Sequence, residues 1–147
     1  MNPKFIADCM LGKLAKWLRI IGVDILYSPF YRDEEIMAIS KFQNRIILTK
    51  DSHFLGKKGF NVFLIESDKV EEQVKEVINR FKLKKSLLKR CIMCNEILEK
   101  VLRTEIFDYV PEYVYFKYKN FSRCPRCQKI YWEGTHTENI KKQIENW

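Results

Sequence analysis

The sequence predicts an α/β fold with a central, mostly parallel sheet, followed by a small β-rich module at the C-terminal end of the chain. Short apolar runs typical of buried strands alternate with segments of helical period through residues 1–85, an order typical of parallel βαβ units covered on both faces. After a basic connector at residues 82–90, two Cys-x-x-Cys pairs flank strand-like segments. We therefore place one domain at residues 1–85 and a second at residues 86–147.

The first domain opens with two predicted strands and a helix between them. Residues 4–8 form an apolar run that ends in an acid, which suits a buried strand with Asp8 at its C-terminal end. Apolar residues fall on one arc of residues 11–21, so this segment is predicted to be a helix, and Gly22 ends it. Residues 23–27 form the second predicted strand.

Two further strands and two helices complete this domain. Residues 33–42 are predicted to be a helix, because acids open the segment where the helix dipole favours negative charge. Residues 45–49 form a third strand with an apolar centre, and Asp51 follows it. Residues 61–65 form a fourth strand, and the apolar spacing of residues 70–81 predicts the helix that closes the domain.

The second domain is predicted to be mainly β. Residues 97–103 and 113–118 are strand-like segments between the two cysteine pairs, and residues 129–132 follow the second pair. Thr135 and Glu138 have the spacing of a capping box, which predicts a short helix at the end of the chain.

Four of the cysteines are spaced as metal ligands. A Cys-x-x-Cys knuckle turns its two sulfurs to one side, and two knuckles supply a closed tetrahedron of soft ligands. The pattern predicts a zinc ribbon with one structural zinc ion per chain, held by Cys91, Cys94, Cys124 and Cys127. Disulfides suit a small secreted chain, and the N-terminus does not resemble a secretory signal. A redox dithiol would be a single motif at the start of a helix, whereas this motif is duplicated among strand-like residues. A saturated zinc site has no place for a substrate, so any chemistry is expected in the first domain.

The charge balance favours a polyanionic partner. The chain has 27 Lys and Arg residues against 19 Asp and Glu, a formal net charge of +8. Such an excess is typical of nucleic-acid-binding proteins, although many lysine-rich proteins only have solvated surfaces. No apolar run approaches the roughly 20 residues of a membrane span, and the N-terminus does not resemble a secretory signal. We therefore expect a soluble, cytoplasmic protein.

Three acids are predicted to meet at one edge of the parallel sheet. Asp8 and Asp51 follow strands whose carboxyl ends share an edge, and Asp33 opens the helix that precedes the third strand. Crowded carboxylates repel one another unless a cation joins them, and hard oxygen ligands select Mg²⁺ or Mn²⁺. In the alternative interpretation, Asp33 caps a helix, Asp51 begins a turn and Asp8 is a solvated strand end. His53 could contact substrate, but it is interpreted as a surface loop residue.

The residues around these acids resemble a known family. The matching segments are Phe5-Ile6-Ala7-Asp8, residues 10–19, residues 45–51, the two cysteine pairs and residues 131–136. Together they resemble the Mut-seven C-terminal RNase family, a PIN-like domain fused to a zinc ribbon. The resemblance spans nearly the whole chain, and it implies a three-layer PIN-like fold for the first domain.

The resemblance also implies a metal-dependent ribonuclease that hydrolyses RNA phosphodiester bonds, with Asp8, Asp33 and Asp51 as the catalytic ligands of Mg²⁺ or Mn²⁺. Larger PIN nucleases take another acid from a middle helix that this chain lacks. The candidates to replace it are Glu34, Glu66 and Asp68. The alternative function is a noncatalytic RNA-binding or ribonucleoprotein adaptor of the same fold. The sequence leaves the RNA target, endonuclease or exonuclease mode, activity on DNA and oligomeric state open.

Basic residues in both domains are predicted to hold RNA phosphates. Lys13, Lys16 and Arg19 share one face of the first helix, and Arg123 and Arg126 flank the second cysteine pair. Phosphate contacts give affinity and register without sequence preference. For the helical residues, the alternative is the solvated face of an amphipathic helix.

Overall fold

The computed structural model describes all 147 residues of the chain. Its first part contains a four-stranded parallel sheet with the strands in the order β2, β1, β3, β4. The strands are β1 (Phe5–Ala7), β2 (Ile25–Leu26), β3 (Ile46–Thr49) and β4 (Val62–Leu64). The helices are α1 (Gly12–Ile20), α2 (Asp33–Gln43) and α3 (Val70–Phe81). The order of elements predicted for this part of the chain is confirmed.

Helices cover both faces of this sheet, because successive side chains of a strand point to opposite faces. In β1, Phe5 and Ala7 join the larger core, which lies against α1 and α3, and the Phe5 ring meets the Phe81 ring edge-on at 5.1 Å. Ile6 joins the smaller core beneath α2, where it packs with Ile36. The first part of the molecule is therefore a three-layer α/β arrangement.

The second part is a three-stranded antiparallel sheet. It contains β5 (Glu99–Val101), β6 (Phe121–Arg123) and β7 (Ile130–Trp132), paired in that order. Two helices accompany the sheet, α4 (Glu112–Lys117) and α5 (Thr135–Ile144). The first cysteine pair precedes β5, and the second lies in the turn between β6 and β7. No helix in the molecule combines the length and apolar character needed to cross a membrane.

One predicted strand is wrong. The sequence predicts a strand at residues 113–118, whereas the segment forms α4, which begins directly after Pro111. Val114 is 1% exposed and packs with Ile106 and Phe121, so the segment has one deep apolar anchor and not the alternating buried face of a strand. Aromatic and β-branched residues favour strands in general, but this preference yields to packing. The strand that pairs with β5 is instead β6.

The terminal helix is present, but its predicted capping box is wrong. Gly134 is the residue before α5, and no side chain caps the first turn. Thr135 is already helical, and the backbone N–H of Glu138 donates to the Gly134 carbonyl at 3.1 Å. The first backbone amides of α5 consequently have no side-chain acceptor.

The end of α5 packs against the α/β part of the molecule. Ile144 belongs to the larger core, and the Trp147 ring meets the Trp17 ring edge-on at 5.1 Å. Lys85 Nζ donates to the backbone carbonyls of Ile144 (3.1 Å) and Trp147 (2.6 Å). The last helix of the sequence therefore contributes apolar contacts to the core of the α/β part of the molecule.

Candidate functional site

The carboxyl ends of β1 and β3 meet at one edge of the parallel sheet. The two strands are direct neighbours, with Ala7 opposite Leu48. Asp8 follows β1, and its backbone N–H donates to the Leu48 carbonyl at 2.9 Å. Asp51 follows the end of β3 after a single intervening residue. We call this region the acidic edge and define it by Asp8, Asp51 and Asp33.

Thr49 connects two residues of the acidic edge. Its hydroxyl donates to Asp8 Oδ2 at 2.9 Å and accepts from the backbone N–H of Asp51 at 3.0 Å. Thr49 is fully buried and Asp8 is 6% exposed, so the Asp8 carboxylate is held in one orientation and shielded from solvent. Asp51 is exposed. The edge thus combines one fixed carboxylate with one that solvent or substrate can reach.

His53 links the remaining acid to this pair. Asp51 Oδ1 accepts from the backbone N–H of His53 at 2.9 Å, and His53 Nε2 lies 3.4 Å from Asp33 Oδ2. The side chains of His53 and Asp33 are each about half exposed. A continuous series of contacts therefore runs from Asp8 through Thr49, Asp51 and His53 to Asp33.

The negative charge of this edge acts on a neighbouring thiol. Burial raises the pKa of Cys9, the adjacent Asp8 carboxylate raises it further, and Asp33 adds a smaller effect of the same sign. Asp8 and Asp33 therefore act on the same point although they lie on different elements. A cation would relieve this potential, and carboxylate oxygens are the donors that Mg²⁺ and Mn²⁺ prefer.

Each acid also has a local structural role. Asp8 Oδ1 accepts from the backbone N–H of Cys9 at 2.7 Å, Asp51 begins a short 3-10 turn, and Asp33 is the first residue of α2. These roles leave free acceptor capacity, because an ionised carboxylate offers about four lone-pair sites. The three carboxylates are not gathered as closely as the cysteine sulfurs. Asp51 and Asp33 are both accessible to solvent, so an ion can reach their carboxylates.

None of the candidates for a fourth acid is joined to the acidic edge by a side-chain contact. Asp68 Oδ1 pairs with Lys50 Nζ at 2.6 Å, and this contact lowers the pKa of Asp68. Lys50 lies between Thr49 and Asp51 in the sequence, so Asp68 approaches the edge from the side of β4. Glu34 and Glu66 are both exposed. No contact favours one of these acids over the others.

The predicted basic residues fall into two groups. Lys13, Lys16 and Arg126 are exposed and Arg123 is partly exposed, so solvent reaches all four of these side chains. Arg19 differs, because it is only 7% exposed. The prediction that it shares the exposed face of α1 is therefore wrong.

The Arg19 guanidinium is occupied by backbone carbonyls. Its Nε donates to Ile25 O at 3.0 Å, and its Nη1 donates to Ile92 O at 3.0 Å and Met93 O at 3.3 Å. Burial lowers the pKa of Arg19 against the opposing effect of Cys91 and Cys94. Arg19 thus joins the first cysteine pair to β2, and we remove it from the predicted phosphate-binding set.

Replacement of Arg19 by methionine is expected to lower the free energy of unfolding by about 2–4 kcal/mol. The reason is that the three backbone carbonyls that accept from the buried guanidinium lose a charged donor. Lys16→Met, the same substitution at an exposed position of the same helix, should change it by less than about 0.5 kcal/mol. Urea unfolding of the two variants measures the difference. Equal stabilities would show that the Arg19 contacts do not support the fold.

A second polar contact joins the first cysteine pair to β2. Asn95 Oδ1 accepts from the backbone N–H of Ile25 at 3.1 Å, and its Nδ2 donates to Asp24 Oδ1 at 2.7 Å. Arg45 also pairs with Asp24, at 2.7 Å. Although burial alone raises the pKa of Asp24, hydrogen bonds from Arg45 and Asn95 hold it below its ordinary value. We call residues 86–147 the cysteine module. Partly buried polar contacts therefore hold the cysteine module against the parallel sheet.

The four cysteine sulfurs lie within 4.8 Å of one another, and Cys91 Sγ is 3.6 Å from Cys127 Sγ. A tetrahedral site with Zn–S bonds of about 2.3 Å has sulfur–sulfur edges of about 3.8 Å, so the donor set fits zinc. The two knuckles share one backbone geometry. Asn95 donates to Cys91 O and Gln128 to Cys124 O, at 2.8 and 2.9 Å, and both donors have positive φ angles, 67° and 68°.

The protonation of the cysteines also favours a metal. Although burial alone raises the pKa of Cys91, hydrogen bonds from the Tyr131 hydroxyl and from backbone amides of Cys94 and Met93 lower it to about 7. Burial raises the pKa of Cys94 and Cys124, and neighbouring cysteines add to both shifts. Four thiolates at this spacing repel one another unless a cation is present. The cluster can therefore hold a zinc ion with no ligand position left open.

Two further residues contact the acids of the acidic edge: sequence reasoning missed Thr49, and it did not predict the contact of His53 with Asp33. Thr49 is a polar residue at the end of an otherwise apolar strand and stands next to a predicted site acid, and this signal could have drawn attention to it. His53 is exposed, as the surface-loop interpretation requires, but it also faces Asp33. No local pattern reveals that contact, because Asp33 belongs to another element.

A family model described as the Mut7-C RNAse domain matches residues 3–144. The matched range contains the parallel sheet with its acidic edge, the four clustered cysteines and the whole of α5. No curated protein and no solved structure matches the chain.

Proposed function

The chain therefore belongs to the Mut7-C RNAse domain family, and from this membership we propose that it is a metal-dependent ribonuclease with a PIN-like first domain. An RNase-type function makes RNA the substrate or partner. The observation that carries the proposal is the acidic edge, where Asp8 and Asp51 follow neighbouring parallel strands and share the Thr49 hydroxyl. The net charge of +8 is consistent with a polyanionic substrate.

The residues at and beside the acidic edge have different roles in the proposed hydrolysis. Asp8, Asp51 and Asp33 would hold Mg²⁺ or Mn²⁺, an ion that supplies activation of water and neutralisation of phosphate charge. Thr49 fixes the Asp8 carboxylate before substrate arrives, so no reorganisation of this group is needed during the reaction. His53 lies beside Asp33, where it can orient that carboxylate or donate to a phosphate oxygen.

The cysteine module is proposed to be a zinc ribbon that orients the RNA. Its closed ligand set leaves no position for substrate, so its contribution to function comes from its surface. Arg123 and Arg126 supply positive charge beside the second cysteine pair. The contacts of Arg19 and Asn95 with β2 hold the module in place, so these charges keep a constant position relative to the acidic edge. Thiolate ligands persist in a reducing compartment, and we propose the cytoplasm.

The second candidate is a noncatalytic RNA-binding or ribonucleoprotein adaptor. This alternative is favoured because the four cysteines form a close group of possible metal ligands, whereas the three carboxylates do not. Incubation of labelled RNA with the purified protein, with and without added Mn²⁺, separates the two functions. Mn²⁺ should be withheld and not chelated, because a chelator would also remove the zinc. Cleavage that depends on Mn²⁺ supports the ribonuclease, whereas binding without turnover supports the adaptor.

RNA binding is expected to weaken steeply with salt. Lys13, Lys16, Arg123 and Arg126 would make about four phosphate contacts on a single strand, and about −0.7 per contact predicts a slope near −3 in a plot of log affinity against log salt. Charge reversal of Lys13 and Lys16 together should make the slope less steep by at least about 1.4, from two lost contacts at about 0.7 each. Fluorescence anisotropy without divalent metal measures both slopes. An affinity independent of salt would exclude phosphate contacts by these four residues.

A further inference from the structure

A cleft of about 550 Å³ lies between the two parts of the molecule, and neither the acids of the acidic edge nor the cysteines are among its lining residues. Its walls come from the second half of α1, the connector, the first cysteine pair, α4, β7 and the start of α5. The volume is within the range of roughly 300–1,000 Å³ typical of ligand sites. We call it the ribbon cleft.

The charge of the ribbon cleft selects an anion. Lys16, Lys117 and Lys129 line it, and no Asp or Glu is among its lining residues, although the chain contains 19 acids. None of these three lysines pairs with a carboxylate anywhere in the molecule. Their charges are therefore available to a ligand. Arg90 also lines the cleft but is already bonded to Asn95 O at 2.8 Å.

The apolar part of the ribbon cleft is aromatic. Tyr113, Tyr118 and Trp132 line it, and Tyr113 is 72% exposed. Flat rings next to cations are what unstacked bases of single-stranded RNA require, because every base can stack on a ring while its phosphate meets a lysine. The first turn of α5 borders the same cleft and has no side-chain cap, so its amides add donors for a phosphate.

Helix α1 connects the ribbon cleft with the neighbourhood of the acidic edge. Lys13 lines a second cleft, which also contains Cys9, the residue after Asp8. Lys16, one helical turn further along, lines the ribbon cleft. The nine residues of α1 span roughly 13 Å at about 1.5 Å per residue. One strand of RNA that follows this helix could therefore occupy both places.

We propose that the ribbon cleft is a binding subsite for single-stranded RNA, in which at least one unstacked base stacks on Tyr113 and the neighbouring phosphates contact Lys117 and Lys129. This subsite rests on the proposed ribonuclease function for its role as part of a substrate path. It adds affinity for strands long enough to extend from the acidic edge along α1. It takes no part in bond cleavage.

Two pairs of matched variants test the subsite. Lys117→Ala with Lys129→Ala removes two cations from the ribbon cleft, and Lys100→Ala with Lys142→Ala removes two exposed cations that do not line it. Tyr113→Ala removes the stacking ring. Tyr109→Ala removes a ring of almost equal exposure, 74%, outside the cleft. All of these side chains are exposed, so zinc content and melting temperature should be those of the unchanged protein.

Fluorescence anisotropy with a labelled single-stranded RNA, without divalent metal, gives the affinities. We expect Tyr113→Ala to weaken binding about 5- to 150-fold, the range for the loss of one stacked base, and Tyr109→Ala to change it less than about 2-fold. Lys117 and Lys129 add two contacts at about 0.7 each, so the subsite steepens the expected salt slope from near −3 for the four contacts described above to near −4. The double lysine variant of the cleft should bring the slope back to near −3, and the control pair should not change it. Equal affinities and slopes within each pair would overturn the proposal.

Cleavage assays with Mn²⁺ separate this proposal from the ribonuclease function. If the unchanged protein cleaves RNA and the cleft variants match it at low RNA concentration, the subsite is excluded and the ribonuclease function stands. If no protein cleaves RNA but binding depends on Tyr113 and the two lysines, the subsite stands and the ribonuclease function fails. If the cleft variants bind RNA more weakly and cleave a long strand less well, while they cleave a dinucleotide at the unchanged rate, both proposals stand.

Discussion

Asp8→Asn and Asp51→Asn are each expected to lower RNA cleavage at least ~100-fold while the protein folds and keeps its zinc. Both substitutions preserve size but remove a negative charge where a hard cation needs one, which is comparable to the loss of a preorganised electrostatic group. The Asp8 site tolerates the change sterically. An asparagine oxygen can still accept from the Cys9 amide, and its NH₂ group can donate to Thr49 Oγ1, where Asp8 accepts now.

RNA binding without metal should hold or strengthen in both variants, because each substitution removes one negative charge from the edge where the phosphates are expected. Asp108→Asn serves as the matched control, since Asp108 is an exposed acid of the second domain, away from the acidic edge. Its cleavage rate should equal that of the unchanged protein. Single-turnover assays with Mn²⁺ measure the cleavage rate, and thermal unfolding measures whether each variant folds. If the Asp8 and Asp51 variants fold and cleave at the unchanged rate, these acids are structural and the acidic edge is not the active site of a ribonuclease.

Cys124→Ser is expected to abolish tight zinc binding and to unfold the second domain. Cys124 is fully buried in the cluster, and three soft ligands cannot close the tetrahedron. Structural zinc sites in small peptides are worth roughly 10–16 kcal/mol near neutral pH, so the loss exceeds what the small antiparallel sheet can replace by packing. Cys9→Ser is the matched control, because Cys9 is the one cysteine outside the cluster. Elemental analysis should find one zinc per chain in the control.

Hydrogen exchange of the Cys124→Ser variant should show which strands lose their structure. Amides of β5, β6 and β7 should lose protection, whereas β1 and β3 at the centre of the parallel sheet should keep most of theirs. Strand β2 should be affected more than β1, because Arg19 and Asn95 join it to the first cysteine pair. Uniform loss of protection across both sheets would mean that the parallel sheet does not hold without the zinc module.

The elements that sequence reasoning predicted well have local causes. Apolar runs such as that of β3 mark strands buried on both faces, and the order of strands and helices fixes a parallel sheet. Parallel pairing then brings Asp8 and Asp51 to one edge without further information. The cysteine cluster was predictable for a similar reason, since a Cys-x-x-Cys knuckle is a local turn and two of them define the whole ligand set.

The features that were missed depend on contacts between distant parts of the chain. Arg19 has the helical spacing of an exposed residue, but the carbonyl it meets at Ile92 lies 73 residues away. Residues 113–118 have the composition of a strand, but most of the segment is helical and packs through Val114 on Phe121 of the antiparallel sheet. The contact of His53 with Asp33 arises because a loop after β3 reaches the start of α2. Contacts between residues far apart in the sequence cannot be predicted from local sequence patterns.

A crystal structure of the zinc-loaded protein soaked in Mn²⁺ tests the central claim most directly. The proposed function predicts an anomalous peak at the acidic edge, with oxygens of Asp8 and Asp51 as ligands at about 2.1 Å and Asp33 completing the shell directly or through water. The zinc should remain between the four cysteines and be distinguishable by its own absorption edge. A well-ordered acidic edge without a manganese peak, in crystals that bind Mn²⁺ elsewhere, would contradict the assignment of these acids as catalytic metal ligands.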